Sequence, residues 1–238
     1  MTLIVAADAQ DHLILAGDHC AVLSRVSNQG PPDLVLRNYR KVYPWKYGAI
    51  AVSGDVFLAA CFQRLFAHQE RMGQPIDLLQ VARDAKAVRA RSGAPPSEST
   101  GNLFFTLPGC DGFALHCVFI RADSIECEII EPIGSRFSMR EGTPDEAACH
   151  AFNKRLRPSF FFPVIDAFHR HHLELLGRFF AGQSAVDEFV TASFDVYMLE
   201  KRTGLGAFWH VSESQERLAT IELQVADGCG LIGSAPAG

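Results

Sequence analysis

The chain opens MTLIVAADAQDHLILAGDHCAVLS, residues 1–24, and the reading of this stretch decides the fold. TLIVAA (2–7) and HLILAG (12–17) are short apolar runs separated by the turn-prone AQD (9–11). Such runs on either side of a tight polar turn predict two strands joined as a hairpin.

Outward from the hairpin, SRVSNQGPPDL (24–34) carries Gly30, Pro31 and Pro32 and reads as a loop or excursion. KVYPW (41–45) and GAIAV (48–52) return to strand character, and Pro44 puts an edge or a bend in the first of them. After Gly54 the period changes. Val56, Ala59, Phe62, Phe66 and Ala67 recur at helical spacing over residues 55–72, with Asp55 as N-cap. A second helix is predicted over 76–91, leaving Arg83, Lys86, Arg89 and Arg91 to solvent. SGAPPSESTG (92–101) is the clearest flexible connection, and a strand-rich block over 102–140 follows it. Helices return at 144–156 and 163–180, the latter with Val164, Phe168, Leu175, Leu176 and Phe179 on one face. Residues 195–199 and 206–211 read as a strand pair, and ADGCGLIGSAPAG (226–238) as a loose tail.

The order is strands, two helices, strands, two helices, strands. An α+β fold built as a four-layer αββα sandwich, two antiparallel sheets between helix pairs, buries every amphipathic element. Four layers exceed the usual two or three. The 238 residues, 48% hydrophobic and 21% charged, suffice for one sizeable core, so a single domain over 1–238 is expected. The net charge of −5 offers no basic excess for nucleic acid or an anionic membrane. The apolar stretches are far shorter than the roughly 18 residues a membrane span needs. The N-terminus lacks the basic start, long apolar run and small-residue cleavage site of a secretory signal. The seven cysteines are scattered, odd in number and without a CxxC pair, which suits reduced thiols in cytoplasm.

Residues 1–24 resemble the start of a proteasome β-type subunit, an N-terminal nucleophile (Ntn) hydrolase. They look closest to the peptidase of the bacterial two-component heat-shock protease, which opens on a processed Met-Thr and runs into an AGD strand end. Carried over residue by residue, the resemblance implies Thr2 as nucleophile, Asp18 of LAGD and Lys41 of NYRKVYPW as its partners, and Gly54 of AVSGD as donor of an oxyanion N–H. REGTPDEAACHAF (140–152) stands where the family has a GSG turn, which places Thr143 at the family's serine. DEFVTASFDVYMLE (187–200) resembles the family's aspartate–x–x–serine–glycine run, with Asp187 at the aspartate. Val190 stands where the serine belongs, and Glu188 is a rival acid one step from Asp187. The longer stretch between Asp18 and Lys41 and the longer chain argue for a divergent bacterial proteasome homologue, such as the β-proteobacterial type.

Chemistry explains why these residue types are needed. A threonine hydroxyl is a weak nucleophile and requires a neighbouring base. A free α-amino group, with an unperturbed pKa of about 8, accepts that proton at little cost. Thr2 supplies both groups once Met1 is removed. Lys41 favours the alkoxide, Asp18 holds Lys41 charged, and Gly54 leaves the oxyanion approachable. Taken singly, each residue also has an ordinary structural role: Asp18 in a turn, Lys41 as a solvated charge, Gly54 at a strand-to-helix turn, Asp187 as a surface acid. Their joint order carries the reading.

Other signals are weaker. In HRHHLELL (169–176), His169 and His172 face one way, but HExxH is absent and the imidazoles read as flanking an apolar face; no metal and no cofactor is assigned. Cys20 lacks a paired histidine and reads as a small packed residue. Ala49 and Val52 hint at room for an apolar substrate side chain. FLAACFQRLF, SFFFPV and LLGRFF offer more apolar side chains than one core requires, a mark of subunit contacts.

The function implied is a cytoplasmic threonine endopeptidase acting on peptides or unfolded protein inside a stacked homo-oligomeric ring. The ring size, six or seven, and the need for an ATPase unfoldase stay open. Two rivals stand beside it: a catalytically silent ring subunit, and an Ntn amidase acting on a small-molecule amide.

Overall fold

The computed structural model describes residues 3–23, 34–73, 75–139, 144–212 and 222–225. Thr2, Thr143, most of the 24–34 loop and the 226–238 tail therefore lie outside the described residues. The chain is mixed α and β, and its sheets are antiparallel. β1 (Ile4–Asp8) and β2 (His12–Asp18) form the predicted hairpin. At its turn Gln10 takes φ 76°, uncommon without glycine, and its N–H donates to Asp8 Oδ1 at 2.7 Å.

β3 (Ala21–Leu23) and β4 (Leu34–Leu36) pair by themselves. β5 (Val42–Trp45) and β6 (Gly48–Gly54) follow, with Pro44 on the edge strand, where its missing N–H costs no ladder bond. α1 (Val56–Arg71) and α2 (Leu78–Arg91) come next, then β7 (Gly101–Gly109), β8 (Gly112–Ile120), β9 (Ile125–Ile129) and β10 (Gly134–Ser138). α3 (Glu146–Asn153), α4 (Ile165–Ser184), β11 (Phe194–Glu200), β12 (Gly206–Val211) and β13 (Glu222–Val225) complete the order. One sheet runs β10-β1-β2-β11-β12-β13 and the other β5-β6-β7-β8-β9.

Asp55, Asp77 and Asp145 cap α1, α2 and α3 by accepting from backbone N–H groups of the first turn. Asp55 also binds Arg89 of α2 at 2.6 Å, and the guanidinium lies over the Phe57 ring. Arg89 thus ties the helix pair together instead of pointing to solvent. The 92–101 connection is also more built than its composition indicates. It holds a short 3-10 turn, Pro96–Glu98, buries Ser99, and offers the Thr100 carbonyl to the Asp55 N–H at 2.9 Å.

Three apolar clusters account for the amphipathic patterns. Leu3, Val5, Ala7, Ile14 and Ala16 pack with Phe168, Leu176 and Phe180 of α4 and Phe152 of α3. The alternate residues Ile4, Ala6, Leu13 and Leu15 pack with Val42, Ala51, Phe104 and Leu115 of the second sheet. Leu103, Phe105, Val118 and Ile120, on that sheet's other side, pack with Leu58, Phe62, Val81 and Ala85 of α1 and α2. β1 and β2 are therefore covered on both faces, which is why their sequences run apolar without alternation. Ala49 and Val52 are buried in two of these clusters, so the space they hinted at is filled by the protein's own core. Among the described residues, no helix is long and apolar enough to cross a membrane.

The histidines of α4 serve the fold. His169 packs on Trp209, and His172 is buried against Phe168 with Nδ1 3.0 Å from the Phe168 carbonyl. Burial pushes the His172 pKa from 6.5 down to about 4, so the folded ring stays neutral. Below pH 6.5 the unfolded chain binds a proton that the native chain refuses, so stability rises with pH through this window and is lost as pH falls from 6.5 towards 4. At about 1.36 kcal/mol per unit, a drop to pH 5 costs about 2 kcal/mol from this group. Urea unfolding of the His172→Leu variant is expected to be less acid-sensitive than wild type by about that amount between pH 7 and 5. Equal slopes would show that the ring already accepts a proton in the folded chain.

Candidate active site

The β1–β2 hairpin brings Leu3 and Asp18 side by side. The Leu3 N–H donates to Asp18 Oδ1 at 2.8 Å, and the Asp18 N–H returns a bond to the Leu3 carbonyl at 3.1 Å. Asp18 thus grips, by side chain and backbone together, the residue that follows Thr2. Lys41, immediately ahead of β5, extends its ammonium to the same Asp18 Oδ1. Both side chains are fully buried. The second carboxylate oxygen, Oδ2, accepts from the N–H of Cys20 at 3.0 Å and of Thr191 at 3.3 Å. Three backbone donors and one ammonium saturate the carboxylate, the condition under which a charge survives burial.

The glycine of AGD has a packing reason. A Cβ on Gly17 would stand 3.2 Å from Lys41 Cβ and 3.3 Å from Val42 Cγ2, so the bare backbone lets the lysine stem run along β2. Burial pulls the Lys41 pKa below its ordinary value, and the Asp18 charge opposes that shift. Among the described residues the ammonium spends only one of its three N–H donors, on Asp18.

Gly54 closes β6. The register Val42↔Ala51 leads Lys41 and Gly54 out of the same end of the smaller sheet. Its φ is 101°, and a Cβ there would collide with the Thr100 carbonyl and Gly101 Cα. The close approach of β7 therefore demands glycine, whatever its N–H does.

Asp187 occupies the turn after α4, where its carboxylate accepts from the Phe189 N–H at 2.9 Å and its carbonyl from the Val190 N–H at 3.1 Å. Among the described residues no hydrogen bond joins it to Asp18 or Lys41. Val190 is buried in the cluster beneath α4. The next residue makes the connection: the Thr191 N–H reaches Asp18, while its hydroxyl accepts from the His19 N–H at 2.8 Å and donates to the Ser193 carbonyl at 2.9 Å.

Two further hydroxyls were missed in the sequence. Ser138, paired with Ile4 in register, lies 2.6 Å from Ser53 Oγ and accepts from Asn102 Nδ2 at 2.5 Å. The trio sits where β10, β6 and β7 meet, one residue from Gly54. Ser53 was legible inside AVSGD, whereas Ser138 has no neighbouring signal. Cys20 is buried, and burial raises its thiol pKa, which disfavours a thiolate nucleophile.

A scan against protein-family models and a search of curated proteins returned no match to this chain.

Proposed function

We propose that the chain is an N-terminal nucleophile hydrolase of the threonine type, with the four-layer αββα architecture of that superfamily. The observation that carries this reading is the fully buried Asp18–Lys41 pair clamped to the backbone of Leu3, directly after Thr2. The three apolar clusters, helix pair to sheet, sheet to sheet and sheet to helix pair, support the architecture.

In the proposed reaction the Thr2 hydroxyl attacks an amide carbonyl and its α-amino group takes the proton. The oxygen gains charge near the Gly54 N–H and the Lys41 ammonium. Collapse expels the amine, which carries the proton away, and leaves an ester on Thr2. Water then hydrolyses that ester and restores the hydroxyl. Thr143 and Asp187 are assigned to the catalytic set by the resemblance alone.

Peptides and unfolded segments are the proposed substrates, and a cytoplasmic stacked ring of six or seven chains the proposed assembly. LLGRFF is spent on the chain's own core, with Leu176 and Phe180 buried, whereas Phe160, Phe161 and Val164 of SFFFPV stay 67%, 65% and 59% exposed. A contiguous apolar patch of that kind marks a protein–protein contact. Intact-mass spectrometry is expected to find Met1 absent from active protein. Light scattering is expected to find at least six chains per particle, with hydrolysis confined to that fraction. A hydrolysing monomer would favour the small-molecule amidase instead, and a ring that hydrolyses nothing the silent subunit.

A further inference from the structure

A second cluster of polar groups lies beyond the Asp18–Lys41 pair and takes no part in the hydrolytic scheme. His19 follows β2, Asp195 lies on β11 and His210 on β12, where Asp195 and His210 are cross-strand partners. His19 Nε2 is 3.1 Å and His210 Nδ1 is 2.8 Å from the same oxygen, Asp195 Oδ1. All three donor atoms fall within 4.8 Å of one another. The two imidazoles stack with centroids 4.8 Å apart and planes inclined by 25°.

We propose that His19, Asp195 and His210 form a binding site for one divalent transition-metal ion, zinc in the first place. Two imidazoles and one carboxylate are the ligand set such ions take, with the fourth position left to water. Bonds of about 2.1 Å in a tetrahedron separate donor atoms by about 3.4 Å. Both imidazole nitrogens already lie near that distance from Asp195 Oδ1, and rotation of the exposed His210 side chain would close the wider gap between the nitrogens, at most 4.8 Å. His19 supplies the second, independent observation. Its side chain is buried, its Nδ1 lies 3.0 Å from Ser193 Oγ, and its Nε2, 3.1 Å from Asp195 Oδ1, makes no hydrogen bond among the described residues. A buried nitrogen without a hydrogen bond, set beside a carboxylate and a second imidazole, is what a metal ion satisfies. Ser193 Oγ holds the far nitrogen of His19, and Arg40 Nε at 3.2 Å occupies Asp195 Oδ2, so the ion would take Oδ1 in place of its present contact with His210 Nδ1. His210 is exposed and opens the way in from solvent.

The test uses the full chain freed of metal by a chelator and dialysis. Calorimetric titration with Zn²⁺ is expected to give one ion per chain at micromolar affinity or tighter. Co²⁺ is expected to give the visible absorption bands of a four-coordinate site. His210→Ala removes an exposed ring, leaves the core intact, and is expected to weaken Zn²⁺ at least tenfold and abolish the Co²⁺ bands. His171→Ala, from the separate histidine run of α4, is expected to change affinity less than twofold. No saturable binding by the wild-type chain, a loss of less than tenfold in His210→Ala, or an equal loss in His171→Ala would each overturn the site.

Discussion

A chain that keeps an uncleavable segment ahead of Thr2 is expected to hydrolyse peptide amides at less than about a thousandth of the processed chain's rate. The base in the proposed reaction is the α-amino group of the nucleophile itself, and an extension turns that amine into an amide with no basic lone pair. Proton transfer to a positioned base contributes about 10²–10⁴-fold. Leu3 is held to Asp18 through both its N–H and its carbonyl, so an extension is expected to leave the fold in place. The control carries the same segment behind a protease site: cutting it to expose Thr2 is expected to restore the rate without a change in thermal melting. Full turnover by the blocked chain would sink the mechanism.

Lys41→Ala is the second large effect, and it has two parts. The proposed work of the ammonium is to favour the Thr2 alkoxide and the developing oxyanion, so kcat is expected to fall by about 10²–10³ with KM little changed. Stability is expected to fall as well, by roughly 3–5 kcal/mol, because removing one partner leaves a buried charge. Asp18 still accepts from the N–H groups of Leu3, Cys20 and Thr191, so the chain is expected to fold and assemble. Lys41→Arg separates charge from geometry. The lysine stem runs against Gly17 and Val42 in a site with no exposed surface, and a guanidinium neither fits that slot nor releases a proton. Circular dichroism and initial rates of a fluorogenic peptide decide the matter: near-native rates in the Arg variant would move the catalytic role elsewhere.

Local chemistry made much of the fold legible. The hairpin, both helix pairs and the β11–β12 pair lie where apolar periodicity and the Asp55 cap put them, since each signal is a repeat of one residue with its near neighbours. The assignments of Asp18 and Lys41 were carried over from the family resemblance, and the two side chains meet in the structure. The 92–101 connection misled because Pro, Ser and Gly report turn chemistry and say nothing of burial; Ser99 is buried, and the Thr100 carbonyl meets the N–H of Asp55, distant in sequence. Arg89 misled for the same reason, its partner Asp55 being on another helix.

By itself the sequence determined the opening hairpin, the helices and the β5, β6, β11 and β12 strands, and with them the placing of Asp18, Lys41 and Gly54 at element ends. Only the tertiary structure decided which groups touch. It set Thr191 on the Asp18 carboxylate because Val190 is drawn into the core, and it brought Ser138 to Ser53 across two sheets. It also gathered His19, Asp195 and His210 from chain positions far apart. Periodicity reports which face of an element is apolar, whereas the partner of a polar atom depends on strand order and register. Those are settled by how the sheets pack, a property of the whole chain that no local stretch contains.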